Sequence, residues 1–201
     1  MKYSEISKDR LITKLPHFDF DGGKMNVVIA GGCIRDCLFG EKYNDIDIFG
    51  LTKEGLDKFV ELNLSKGKGY RLVYFNDNLR TYKKGKTKVQ IVYREYETLD
   101  SILDSFDFTV CQFMYDGERV LCNPDSLLDV YHKRIVINHI DSLFVLDTFR
   151  RVQKYIQRGY SICNGGIKEI MDKCRSITQE EYDENLEFYP NTDEIRIIRF
   201  D

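Results

Sequence analysis

Two aspartates one residue apart, Asp45 and Asp47 in "NDIDIF", follow a double glycine, Gly31-Gly32 in "IAGGCIRD", within seventeen residues of chain. In an extended strand, residues i and i+2 face the same way, with their Cα atoms about 6.5 to 7 Å apart. Carboxylates so placed can converge on divalent cations, and two ions about 3.5 to 4 Å apart support in-line phosphoryl or nucleotidyl transfer. Consecutive glycines at the start of a helix let backbone N–H groups come close to a phosphate. Neither half is specific, since aspartates alternate with isoleucines in many ordinary edge strands. A phosphate cradle beside metal ligands is the combination that carries the reading.

The elements that must hold these residues are written around them. The apolar run "NVVIA" from Asn26 to Ala30 predicts a buried strand ending in a glycine turn. In "CIRDCLFG" the apolar residues Cys33, Ile34, Cys37 and Leu38 recur at helical spacing, and Gly40 supplies a stop. "DIDIF" alternates strictly, so Asp45, Asp47 and Phe49 share one face and Ile46 and Ile48 the other. A helix over 52–64 follows, with Leu56, Phe59, Val60 and Leu64 on one side. Strands are expected at 70–75 and 88–93, flanking a basic segment, "RTYKKGK", with a turn at Gly85. A helix near 98–104 leads to two apolar runs split by Asp116-Gly117, a hairpin signal. A short helix over 127–132 and a longer one in "LFVLDTFRRVQKYIQRGY" come next. The longer one has Val145, Phe149, Val152 and Ile156 on its apolar face and Arg150, Arg151, Lys154 and Arg158 on its other side. A helix at 167–175 and an alternating "EIRIIRF" strand close the chain.

The 201 residues suit one well-packed domain with an extension, divided here as 1–138 and 139–201. With 42% hydrophobic and 31% charged residues and only three prolines, the composition excludes a disordered chain. No stretch approaches membrane-spanning length, and the polar "MKYSEISKDR" start leads into no secretory core, so a cytoplasmic location is expected. Six cysteines without a C-x-x-C pair and three scattered histidines offer neither a zinc site nor a disulfide framework. A net charge of −3 gives no global attraction to nucleic acid, so any basic surface must be local. "RTYKKGKTK", Arg80 to Lys88, is one candidate, which could hold an acceptor's phosphates; the arginine-bearing helix is the other.

"GGCIRDCLFGEKYNDIDIF" resembles the G-G-x-V-R-D-x-L-L-G-x-x-x-x-D-I-D-I signature of the head domain of CCA-adding enzymes and bacterial poly(A) polymerases. "FDFTVCQFMYD" is similar to that family's R-D-F-T-x-N-A-M-A-Y-D strand, and "NPDSLLDVYHKRIVIN" and "DTFRRVQKYIQRGYSI" to the segments after it, so the resemblance covers roughly residues 26 to 162. It implies an α+β protein with the polymerase-β-like nucleotidyltransferase fold: a small mixed sheet with helices packed on one side, a short helical neck and a C-terminal extension. It also implies Mg²⁺ or Mn²⁺ on Asp45 and Asp47, and NTP as substrate. Gly31 and Gly32 would contact the triphosphate through their amides, and Arg35 and Asp36 would brace the turn or the phosphates. Asp107 would lie near the ribose, and Arg150 and Arg151 would meet a phosphate or an intramolecular acid.

Three departures from the family pattern stand out. The strand expected to supply a third carboxylate reads "KVQIVYR", with Gln90 in that place; Asp107, Glu95 or Glu97 are the substitutes on offer. Phe106 and Cys111 replace the arginine and asparagine of R-D-F-T-x-N. The E-D-x-x-R nucleotide-selecting motif is absent, and the length falls short of the body and tail domains that hold tRNA in larger relatives. The leading expectation is a metal-dependent nucleotidyltransferase that moves NMP from an NTP to an acceptor hydroxyl, an RNA 3′ end foremost, with release of pyrophosphate. The alternatives are a nucleotide-binding module with weak or no turnover, and nucleotidylation of a protein or small molecule.

Overall fold

The computed structural model describes residues 3–8, 14–141, 145–181 and 183. The expected "EIRIIRF" strand lies outside them. Eight strands form one mixed sheet: β1 (Ser4–Ile6), β2 (Val27–Ala30), β3 (Ile46–Gly50), β4 (Arg71–Phe75), β5 (Leu79–Lys84), β6 (Thr87–Val92), β7 (Phe113–Tyr115) and β8 (Val120–Cys122). Their order is β1-β8-β7-β2-β3-β6-β5-β4. All neighbours run antiparallel except β3 and β6, which are parallel and bring Asp47 opposite Gln90. Helices α1 (Gly32–Phe39), α2 (Lys53–Asn63), α3 (Leu99–Asp104), α4 (Pro124–Tyr131), α5 (Val145–Gln157) and α6 (Asn164–Ser176) surround it. A two-residue parallel pair, β9 (Arg134–Ile135) and β10 (Ser161–Ile162), ties the segment after α5 back to the segment after α4.

Strand alternation sorts the core into two faces. Val27, Ile29, Ile46, Ile48, Val89 and Ile91 join one cluster with Ile34 of α1 and Leu56 and Phe59 of α2. Val28, Ala30, Phe49 and Met114 join a smaller one with Ile102 and Leu103 of α3. Asp45, Asp47 and Gln90 therefore belong to the face that α1 and α2 leave open. The larger cluster continues into Val152, Tyr155, Tyr160 and Ile170, so α5 and α6 share the core of the sheet.

Helix ends follow the chain's punctuation. Thr52 accepts from the Gly55 amide at 3.1 Å to open α2, and Thr98 and Ser101 form a reciprocal capping box on α3. α1 stops at Gly40 in the left-handed region. The basic segment between the expected strands at 70–75 and 88–93 is itself a strand, β5, so a three-stranded meander replaces the expected pair.

Candidate active site

The pair of aspartates converges on one point. With its amide nitrogen turned toward them, Gln90 donates to Asp45 Oδ2 at 3.0 Å and to Asp47 Oδ1 at 3.2 Å. A single donor satisfying both carboxylates marks the position a divalent cation would occupy, and all ligands there would be hard oxygens, as Mg²⁺ and Mn²⁺ prefer. The residues thus fit one such ion: two carboxylates and, after rotation of the amide, the Gln90 carbonyl. Among the described residues no group of three or more His, Cys, Asp or Glu side chains forms a metal cluster. Of the suggested substitutes, Glu95 lines a different cavity, Glu97 is exposed, and Asp107 is turned to an arginine.

Loss of hydration and the neighbouring Asp45 push the Asp47 carboxyl up to about 7, against the pull of Lys88, Lys154 and Arg151. Lys88 Nζ lies 3.4 Å from Asp45 Oδ2. Asp45 and Asp47 border a cavity of about 300 Å³ whose far wall is α5, through Arg151, Lys154 and Tyr155, with Arg158 just past its end. One wall is acidic and the other basic, the polarity a metal-bound polyphosphate requires.

The turn that joins β2 to α1 forms the base of this cleft. Gly31 has φ +94°, a conformation that strains any side chain, and a Cβ there would also press on Phe106 Cε1 at 3.3 Å. Its amide donates to Phe113 O at 2.8 Å and is therefore engaged in the sheet rather than available to a phosphate. Gly32, the first residue of α1, lines the cavity.

Arg35 and Asp36 are buried and committed to each other, with Arg35 Nε and Nη2 donating to Asp36 Oδ1 at 2.8 and 2.6 Å. Arg35 Nη1 donates to Val110 O at 3.3 Å and to the Tyr155 hydroxyl, which also contacts Cys111 Sγ at 3.0 Å. Arg158 donates to Asp36 at 2.9 Å and to Glu41, and Lys133 pairs with Glu41 at 2.7 Å. The bracing expected of Arg35 and Asp36 is thus exerted on α5, and Cys111 belongs to the same assembly. Phe106, in the place of the family arginine, packs edge-on against Phe49 at 5.6 Å.

Of the paired arginines, Arg151 lines the cavity and Arg150 does not; Arg150 Nη1 lies 3.6 Å from Asp147 Oδ1 on its own helix. Asp107, buried, faces Arg151 Nη1 at 3.2 Å from Oδ2 and so holds it at the cavity wall. Burial pushes the Asp107 carboxyl upward while Arg151 pulls it down. The sequence motifs do not single out Lys154 and Arg158, which also line the cavity. The signal is helical spacing: with Val152 and Tyr155 buried, position 151 flanks the buried face while 150 lies nearly opposite it.

This sheet, helix order and carboxylate face define the nucleotidyltransferase fold. A Thermotoga maritima CCA-adding enzyme complexed with tRNA superposes with a TM-score of 0.62 at 21% identity, over 93% of this chain and 51% of that one. A CCA-adding enzyme in complex with ATP gives 0.62 at 22%, again over 93% and 51%. By sequence family the chain belongs with a different group: a family model described as Gabija anti-defense 2 family protein matches residues 5–133, and the chain is a member of that family. Gabija anti-defense 2 of Bacillus phage SPbetaL7 is 25% identical over 186 residues, 90% of this chain and 45% of its own length. An uncharacterized protein of Acanthamoeba polyphaga mimivirus is 26% identical over 163 residues, 68% of this chain and 35% of its own. The chain thus spans less than half the length of these curated relatives. No helix among the described residues is long and apolar enough to cross a membrane.

Proposed function

We propose that the cleft between β3 and α5 binds an NTP with Mg²⁺ or Mn²⁺ and transfers NMP to an acceptor hydroxyl, an RNA 3′ end being the first candidate. The observation that carries this is the convergence of Asp45 and Asp47 on one point opposite Arg151 and Lys154. Bound there, the ion would neutralise phosphate charge and draw the triphosphate to the carboxylates. Arg151, steered by Asp107, and Lys154 would take phosphate oxygens from the other side. Gly31 keeps the turn slim enough for the nucleotide to approach, and Gly32 opens the helix beneath it. In the reaction the acceptor hydroxyl gives up its proton to solvent, its oxygen bonds to the α-phosphorus, the α–β anhydride bond breaks, and pyrophosphate leaves.

A second reading is supported by Gln90: without a third carboxylate the site would hold a nucleotide with weak or no turnover. Nucleotidylation of a protein or small molecule is the third, and an anti-defense family is compatible with each. The test is incubation with Mg²⁺, labelled NTPs and RNA, protein and small-molecule acceptors, beside Asp45→Ala and Asp47→Ala variants. Label transfer lost in both variants supports the proposal, and label transfer undiminished in both removes it. NTP binding without transfer to any acceptor selects the second reading.

A further inference from the structure

The sheet ends in an unguarded apolar strand. β4 pairs only with β5, so its outer edge has no strand partner among the described residues. Its side chains Leu72, Val73, Tyr74 and Phe75 are 47, 52, 51 and 70% exposed, so neither face of the strand is covered. An edge of this kind is a template for another strand, and soluble proteins cover or blunt it.

The charge around it is equally one-sided. Residues 64–94 contain nine lysines and arginines and one acid, Asp77, in a chain whose net charge is −3. Lys66, Lys68, Arg71, Lys83, Lys84 and Lys86 are exposed and form no ion pair with a described carboxylate. We infer that β4 is a docking edge for an extended, acidic segment of a partner protein, which adds to the sheet as a ninth strand.

Three features select that occupant. Free backbone N–H and C=O groups along an edge are matched together by a polypeptide strand, whereas phosphates accept but cannot donate. Leu72 and Val73 offer no π-face, so only part of the patch would serve a stacked nucleobase. A second copy would bring an equally basic meander against this one, and like charges at an interface repel. The edge stands apart from the Asp45–Asp47 cleft, so the inference does not depend on the catalytic reading.

The test is fluorescence anisotropy on the full chain with a labelled octapeptide of alternating valine and glutamate. Its controls are a lysine-for-glutamate counterpart and the acidic peptide N-methylated at alternate backbone nitrogens. We expect saturable binding of the acidic peptide, at least about tenfold weaker in high salt than in low, slowed hydrogen exchange at Arg71–Phe75, and little binding of either control. Lys83→Glu/Lys84→Glu and Val73→Ser/Phe75→Ser, all at exposed positions, should each weaken binding about tenfold with the unfolding midpoint unchanged. No saturable binding, or equal binding of the N-methylated peptide, overturns the inference. So does a short oligouridylate that binds more tightly than the peptide and is lost in the same variants, or a dimer in sedimentation that protects β4.

Discussion

Replacing one carboxylate oxygen by an amide nitrogen changes what Asp45 and Asp47 meet. With its amide nitrogen turned toward them, Gln90 donates to both. Gln90→Glu removes that donor and adds a third negative charge at the same point. Without metal, the variant should unfold at a lower temperature than the wild type, because like charges would crowd a half-buried face. With Mn²⁺ its midpoint should rise by more than the wild type's, the ordering reversed by chelation with EDTA; equal Mn²⁺ increments in the two proteins would refute a metal position at Gln90. Asp47 supplies the pH counterpart. Its carboxyl is pushed up to about 7, so the folded state binds a proton that the unfolded state has released. Its contribution to stability is then fully present below the unfolded carboxylate range and lost as the pH rises through about 7. Asp47→Asn cannot ionise and should therefore gain about 1 to 3 kcal/mol on the wild type between pH 5 and pH 8. Urea unfolding of both proteins at the two values measures it, and a difference independent of pH would contradict the assigned burial.

Among the elements, the contact that sets the cleft is α1 against α5. In "GGCIRD" the glycines and the charged pair carry equal weight as sequence, and their tasks separate only in the fold. Arg35 is 2% exposed and its guanidinium is shared among Asp36, Val110 O and Tyr155, so it fixes the distance between the two helices. Arg35→Ala should cost about 2 to 4 kcal/mol in unfolding free energy, because Asp36 keeps Arg158 but loses its closer partner and a cavity opens beside Tyr155. Arg35→Lys should recover little of it, because an ammonium cannot reproduce the fork geometry. Chemical denaturation of the two variants tests this, and full recovery by lysine would make the interaction a simple charge contact. The individual cleft-facing cations are only partly legible in the sequence. Arg150 and Arg151 are equivalent in a motif, and it takes the burial of Val152 and Tyr155 to decide which of them turns inward.

On the scale of the molecule, strong periodicity was readable and weak periodicity was not. "NVVIA", "DIDIF" and the Asp116-Gly117 turn gave β2, β3 and the β7–β8 hairpin because each pattern has one dominant cause. β5, "LRTYKK", carries no apolar alternation and reads as a basic segment; it is a strand because β4 and β6 pair with it on both sides. β1 spans three residues, and its pairing with β8 joins positions more than a hundred residues apart, which no local signal encodes. The same distance separates fold from identity. The nucleotidyltransferase signature pointed to the fold that CCA-adding enzymes share, while the family to which the chain belongs is the anti-defense one. Asp45 and Asp47 are the joint on which both catalytic and binding readings turn. Calorimetric titration of Mg²⁺-NTP into the wild type and into Asp45→Ala and Asp47→Ala measures that joint directly. Binding should weaken at least about tenfold in each variant and on removal of the metal, and affinity unchanged in both variants would contradict a nucleotide site at these carboxylates.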